Sequence, residues 1–235
     1  MVVTRPDHSI LCFIWPEVTF LVGRTSRGTI GSMTTPSRWQ KITAANPDHS
    51  QWYIDRFERM RAAGIDLAGE ARTCDALVER GARIIDAGCG PGRVAVLLAE
   101  SGHSVIGLDI DPQLLAAAQV LAERSDHANL DVEFIEADIC QPWPAGEADL
   151  IVCCGNVLTF LDGDQPRTAL THMRAALAPQ GRIVTGFGLE RGYSAAQFDA
   201  DCAAAGLTVE ARFSTWQLAP YTAQSTYLVA FLAPA

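Results

Sequence analysis

The chain has 235 residues, 49% of them apolar and 19% charged. That is enough for one sizeable α/β domain with a full core, and the balance excludes a disordered or fibrous chain. The formal charge of −9 repels polyphosphate, and the nearest thing to a basic cluster, Arg56, Arg59 and Arg61, is interleaved with Asp55 and Glu58, so no nucleic-acid partner is expected.

Residues Ile10 to Val22 are apolar except for Pro16, Glu17 and Thr19. The run is too short to span a bilayer and lacks a convincing small-residue cleavage site after it, so neither a membrane partner nor export is expected. Met33 opens a more ordinary N-terminus. Residues 1–32 are therefore expected to be a dispensable extension, 33–80 a helical segment serving as a lid, and 81–235 the main domain. Seven cysteines (12, 74, 89, 140, 153, 154 and 202) contain no Cys-x-x-Cys pair and read as reduced, buried thiols of a cytoplasmic protein. The five histidines lack metal-ligand spacing, so no metal site is expected.

Pro47 to Ala63 reads as a helix, with Trp52, Ile54, Phe57 and Met60 at helical spacing and Asp48 or Ser50 as its cap. A second helix is expected from about Ala68 to Arg80, stopped by Gly81. Strands and helices then alternate. Arg83 to Asp86 is a strand and Arg93 to Ser101 a helix. Ser104 to Leu108 is the next strand, and Asp111-Pro112 starts a helix that runs to about Arg124. Val132 to Ile135 is a third strand, and residues 141–147 form a loop. Leu150 to Cys154 is apolar throughout, as a strand buried on both faces should be. A helix over Pro166 to Leu177, a strand over Arg182 to Phe187 and a helix over Ala195 to Ala205 follow. The last two strands, Leu207 to Phe213 and Ser225 to Phe231, lack a helix between them and must pair antiparallel. The expected fold is α/β: a doubly wound, Rossmann-like, seven-stranded, mostly parallel sheet with an antiparallel final strand. Ligands on such sheets bind beyond the carboxyl ends of the strands, where strand order reverses.

The segment Asp86-Ala87-Gly88-Cys89-Gly90-Pro91-Gly92-Arg93 lies at that end of the first strand. Three alternate glycines allow a tight turn and close approach of a ligand to the main chain. Asp109 ends the second strand, 21 residues after Gly88, where a carboxylate can accept from both hydroxyls of a ribose. Asp111, its rival, is better read as the helix cap before Pro112. A dinucleotide site would space its glycines Gly-x-Gly-x-x-Gly. Here the spacing is Gly-x-Gly-x-Gly, and Asp86 stands two residues before the first glycine. That carboxylate disfavours a pyrophosphate and suits a nucleoside bearing an ammonium group, which describes S-adenosylmethionine.

From about Ala68 to its C-terminus the chain resembles the class I S-adenosylmethionine-dependent methyltransferases. The resemblance implies a cofactor site made of the glycine loop (Asp86, Ala87, Gly88, Cys89, Gly90, Gly92 and Arg93), Asp109 and Ile110 at the ribose, Asp138 and Ile139 at the adenine, and Cys154 and Gly155 beside the methionine moiety. It implies in-line methyl transfer to a small-molecule acceptor, by a monomer or homodimer. The candidate catalytic residues are Asn156 after the fourth strand, Tyr53 beside Trp52 on the early helix, and Tyr193 beside Arg191 and Gly192 after the fifth strand. No general base stands out. A nicotinamide-dependent oxidoreductase and a non-catalytic S-adenosylmethionine-binding protein remain as alternatives.

Overall fold

The computed structural model of the protein describes residues 35–127, 129–143 and 146–235. The extension expected over residues 1–32, and Cys12 with it, lies outside them. The elements below fall in one unit, Ser37–Ala235.

Three helices precede the sheet: α1 (Arg38–Ala45), α2 (His49–Ala62) and α3 (Gly69–Asp75). The sheet unit contains β1 (Arg83–Ala87), α4 (Arg93–Glu100), β2 (Ser104–Asp109), α5 (Pro112–Glu123), β3 (Val132–Glu136) and β4 (Ala148–Cys153). A 3-10 turn over Val157–Phe160, α6 (Gln165–Ala176), β5 (Leu177–Gly188), α7 (Ala195–Ala204), β6 (Leu207–Phe213) and β7 (Tyr227–Pro234) complete it. The strand order is β3-β2-β1-β4-β5-β7-β6. The first five strands pair parallel, and β7 inserts antiparallel between β5 and β6. The expected sheet is therefore the observed one. Its strand order reverses between β1 and β4, which places a crevice at their carboxyl ends.

The alternation of side chains along the strands builds a core on each face. Ile84, Leu150, Val152 and Val184 face α3 and α4 through Ala71, Cys74, Val94 and Leu98. Ile85, Ile151, Cys153 and Ile183 face α6 and α7 through Leu170, Met173, Phe198 and Cys202. The six cysteines among the described residues are free and buried.

Four local expectations change. Helix α1 was not foreseen, although Ser37 caps it, accepting from the Gln40 amide at 3.2 Å while Gln40 Oε1 accepts from the Ser37 amide at 2.9 Å. Neither expected residue caps α2: Asp48 makes no side-chain capping bond there, and Ser50 turns to Asp111 instead. Helix α3 stops at Asp75 rather than Arg80, because the Leu77 amide bonds Cys74 O at 3.1 Å and tightens the last turn. Strand β5 begins at Leu177, where Ala148 pairs with Leu177 and the register then shifts to pair Leu150 with Arg182.

Candidate active site

A cavity open to solvent sits over the carboxyl ends of β1, β2 and β4, the place where ligands bind on doubly wound sheets. Its floor is the turn after β1. Gly88 takes φ +79°, and a Cβ there would lie 2.5 Å from Val157 Cγ2, so only glycine lets the 3-10 turn close against the loop. At Gly90 and Gly155 the nearest atoms to a built Cβ belong to Tyr53, at 3.8 and 3.9 Å, so both glycines open onto the cavity beneath that ring.

Three acids stand along the floor. Asp86 stands one residue before the end of β1 at 2% exposure. Its Oδ2 has no hydrogen-bond partner among the described residues. Burial, partly opposed by Arg93 and aided by Asp109, pushes its carboxyl up to about 7. Asp109 ends β2; its Oδ2 accepts from the Gly90 amide at 2.8 Å and its Oδ1 from the Asp111 amide at 2.9 Å. Burial raises it to about 6 against the pull of those amides. Each of its oxygens keeps a lone pair for a ligand donor. Asp138, beyond β3, is half-buried and accepts from the Cys140 amide at 2.9 Å.

Arg93 opens α4 and is held by Glu70 of α3, Nη2 to Oε1 at 2.6 Å and Nη1 to Oε2 at 2.9 Å, with a further bond to Leu67 O. Its guanidinium lies 5.4 Å from the Phe57 ring centre, a cation–π contact that joins the glycine loop to α2. The roof is aromatic. Trp39 of α1 meets Tyr53 of α2 edge-on at 5.4 Å and Phe160 at 5.5 Å, and Tyr53 meets Phe57 at 5.2 Å. Burial raises the Tyr53 phenol, with Arg93 opposing.

Of the residues expected from the sequence, Asp86, Gly88, Cys89, Gly90, Arg93, Asp109, Ile110, Asp138, Ile139, Cys154, Gly155 and Tyr53 line this cavity. Others do not, and each has a physical reason. Ala87 is fully buried in the core under the sheet. Gly92 starts α4 at φ +77°, where a Cβ would meet Ala118 at 2.7 Å. Asn156 turns its Oδ1 to the Gly188 amide at 2.8 Å, which fixes the β4 and β5 ends together. Tyr193 is 5% exposed, packs on Phe187 and Phe198, and donates to Asp201 at 3.0 Å. Trp52 points outward at 43% exposure, stacked on His49. Arg191 meets α1 through its carbonyl, which accepts from Arg38 at 3.0 Å. The sequence reading missed Trp39, Val157, Phe160, Leu161 and Glu70. The Ser37-Arg38-Trp39-Gln40 capping box was the available signal for Trp39; nothing comparable marks the rest.

Residues 84–181 match a family profile described as a methyltransferase domain. The TehB-like S-adenosylmethionine-dependent methyltransferase from Corynebacterium glutamicum superposes with a TM-score of 0.76 and is 38% identical, covering 81% of this chain and 100% of that one. The chain belongs to the class I S-adenosylmethionine-dependent methyltransferases. Magnesium protoporphyrin IX methyltransferase from Synechocystis shares the fold at 20% identity, with a TM-score of 0.63 over 82% of this chain and 96% of its own. The ribosomal protein L11 methyltransferase of Burkholderia ambifaria is 37% identical over 108 residues, 45% of this chain. The match spans only about a third (32%) of that relative's length.

The family's cofactor is S-adenosylmethionine, and the site's chemistry fits it. The unpartnered Asp86 oxygen offers an ammonium its counter-ion, Asp109 offers two acceptors to a diol, and the open faces of Gly90 and Gly155 leave the main chain bare to a ligand.

Proposed function

We propose that the protein transfers the methyl group of S-adenosylmethionine to a small-molecule acceptor. The observation that carries the cofactor assignment is Asp86: a buried carboxyl at the cavity floor with one oxygen unpartnered and its affinity for protons raised. An isolated buried carboxylate is costly, and an ammonium ligand relieves that cost. Bound S-adenosylmethionine would supply an electrophilic methyl group on a sulfonium. Asp109 and Asp138 would hold the ribose and the adenine, with Ile110 and Ile139 packing beside them. Arg93, pinned by Glu70, keeps the loop and α2 in register. Tyr53 and Phe57 cover the loop and exclude water, so the protein's main task is alignment.

The roof favours a small acceptor. Trp39, Tyr53, Phe57, Phe160 and Leu161 enclose the cavity, and a folded protein's loop would have to displace them. The L11-type relatives favour a protein acceptor, but they match under half of this chain. Six buried thiols among the described residues fit a reducing compartment such as the cytosol, and no described helix is long and apolar enough to cross a membrane.

Thermal melting with adenosyl ligands tests the cofactor reading. S-adenosylhomocysteine at 100 times its dissociation constant should stabilise by about 2.7 kcal/mol, and NAD should not. A shift with NAD alone sinks the assignment. Methyl transfer to ribosomal protein L11, with none to a panel of small molecules, would replace the small-molecule acceptor.

A further inference from the structure

Two carboxylates stand close together at the end of β2, and only Asp109 lines the cavity. Asp111 is 8% exposed and accepts four hydrogen bonds. Its Oδ1 accepts from the Gln113 and Leu114 amides at 2.9 and 3.3 Å, which caps α5. A cap needs no more than that oxygen. Its Oδ2 accepts from Trp39 Nε1 at 2.9 Å and from Ser50 Oγ at 2.5 Å, one donor from each roof helix. Both bonds are buried. Arg38 Nη1 also donates to Thr159 O at 3.3 Å in a part-buried bond, while the ties of Arg38 and Lys41 to Asp162, Gln113 to Gln51 and Arg124 to Glu58 are exposed. Exposed pairs hold weakly. The Asp111 amide in turn donates to Asp109 Oδ1, and Asp109 Oδ2 accepts from Gly90. One continuous run of bonds therefore joins the glycine loop, the ribose-side acid and the roof.

We propose that Asp111 is a positioning residue that latches the α1–α2 roof, through Trp39 and Ser50, onto the turn carrying Asp109, and that this latch sets how long an adenosyl ligand stays in the cavity. The inference rests on the cofactor assignment above. The latch is indirect: Asp111 reaches the ligand only through the groups it holds. Trp39 is the residue whose ring it orients over the cavity.

Two variants separate the latch from the cap. Asp111→Asn keeps a carbonyl oxygen for the α5 amides but puts an amide where Trp39 Nε1 needs an acceptor. Trp39→Phe keeps an aromatic ring and removes the donor. Stopped-flow binding of S-adenosylhomocysteine, followed by intrinsic fluorescence, should give little change in association rate and a dissociation rate about tenfold faster in each variant. The double variant should be no faster than Asp111→Asn, since both act on one bond. A purely structural role would lower the melting temperature without this change in dissociation. Wild-type dissociation in Asp111→Asn, or effects that add in full, would overturn the latch. Should S-adenosylhomocysteine fail to bind the unmodified protein, the cofactor assignment falls instead. The latch is then read from amide exchange without ligand: residues 38–62 should exchange about tenfold faster in Asp111→Asn while 112–123 do not. Equal exchange at 38–62 would refute it.

Discussion

At the residue scale the site is governed by carboxyls held away from water. Asp86 is raised to about 7 from an unfolded value near 3.9, so the folded state keeps a proton that the unfolded chain has lost between those limits. The resulting stabilisation is complete below about pH 4 and is lost as pH rises through about 7. Asp86→Asn should therefore raise the melting temperature of the ligand-free protein little at pH 4 and most at pH 8, by a free energy on the order of 4 kcal/mol at full ionisation. The same substitution should abolish the response to S-adenosylhomocysteine. In the unmodified protein, calorimetric affinity for that ligand should strengthen from pH 6 to 7.5, as the carboxylate forms; a flat profile would remove Asp86 from the ammonium site. Asp109→Ala should weaken binding at least about tenfold, because hydrogen bonds to a charged acceptor are each worth roughly 1.5–3 kcal/mol. The acids were legible because strand ends and a glycine loop fix their positions in the chain. Asn156 and Tyr193 misled because side-chain direction is set by packing: one is drawn to the Gly188 amide and the other to Asp201.

At the element scale the parallel strands were readable from their apolar runs, and β4, buried on both faces, was the clearest. The roof was only half readable. Helix α2 shows helical spacing, but α1 has eight residues and a single buried one, Trp39, so periodicity could not reveal it. Ser37→Ala should unfasten α1 at a cost of about 1 kcal/mol in urea denaturation, a modest loss because Arg38 and Lys41 still reach Asp162 at 2.7 Å. Tyr53 contributes differently. Its ring covers Gly90 and its hydroxyl approaches Gly155, so Tyr53→Ala should lower turnover by far more than it lowers the melting temperature. A loss of stability with turnover intact would make Tyr53 a packing residue.

At the scale of the whole molecule, core packing on the far strands is separable from the cavity. Leu228 on β7 is fully buried beneath the sheet, on the side of Phe187 and Phe198. Leu228→Ala should cost about 2–5 kcal/mol in urea denaturation by leaving a void, yet calorimetric affinity for S-adenosylhomocysteine should stay within a factor of two or so, because the strand lies beyond β5 from the switch point. A large fall in affinity would mean that the β5–β7 edge supports the site. The insertion of β7 between β5 and β6 was legible only as an antiparallel pair. Which of two final strands takes the inner place depends on long-range register, here Ile183 with Leu232 and Val209 with Leu232, and no local pattern records it.

The buried thiols make the protein its own clock for opening. Burial pushes Cys140 and Cys202 up to about 12, and Cys89 and Cys154 well above the ordinary thiol value. Alkylating reagents attack the thiolate, so at pH 8 iodoacetamide can reach these sulfurs only when the chain opens around them. Cys89 and Cys154 line the cavity, whereas Cys202 lies in the core beneath the sheet. Mass spectrometry of the labelled residues would thus time two events in one tube: breathing of the cavity at Cys89 and Cys154, which an adenosyl ligand should slow, and cooperative unfolding at Cys202, which it should slow only by the stability it adds.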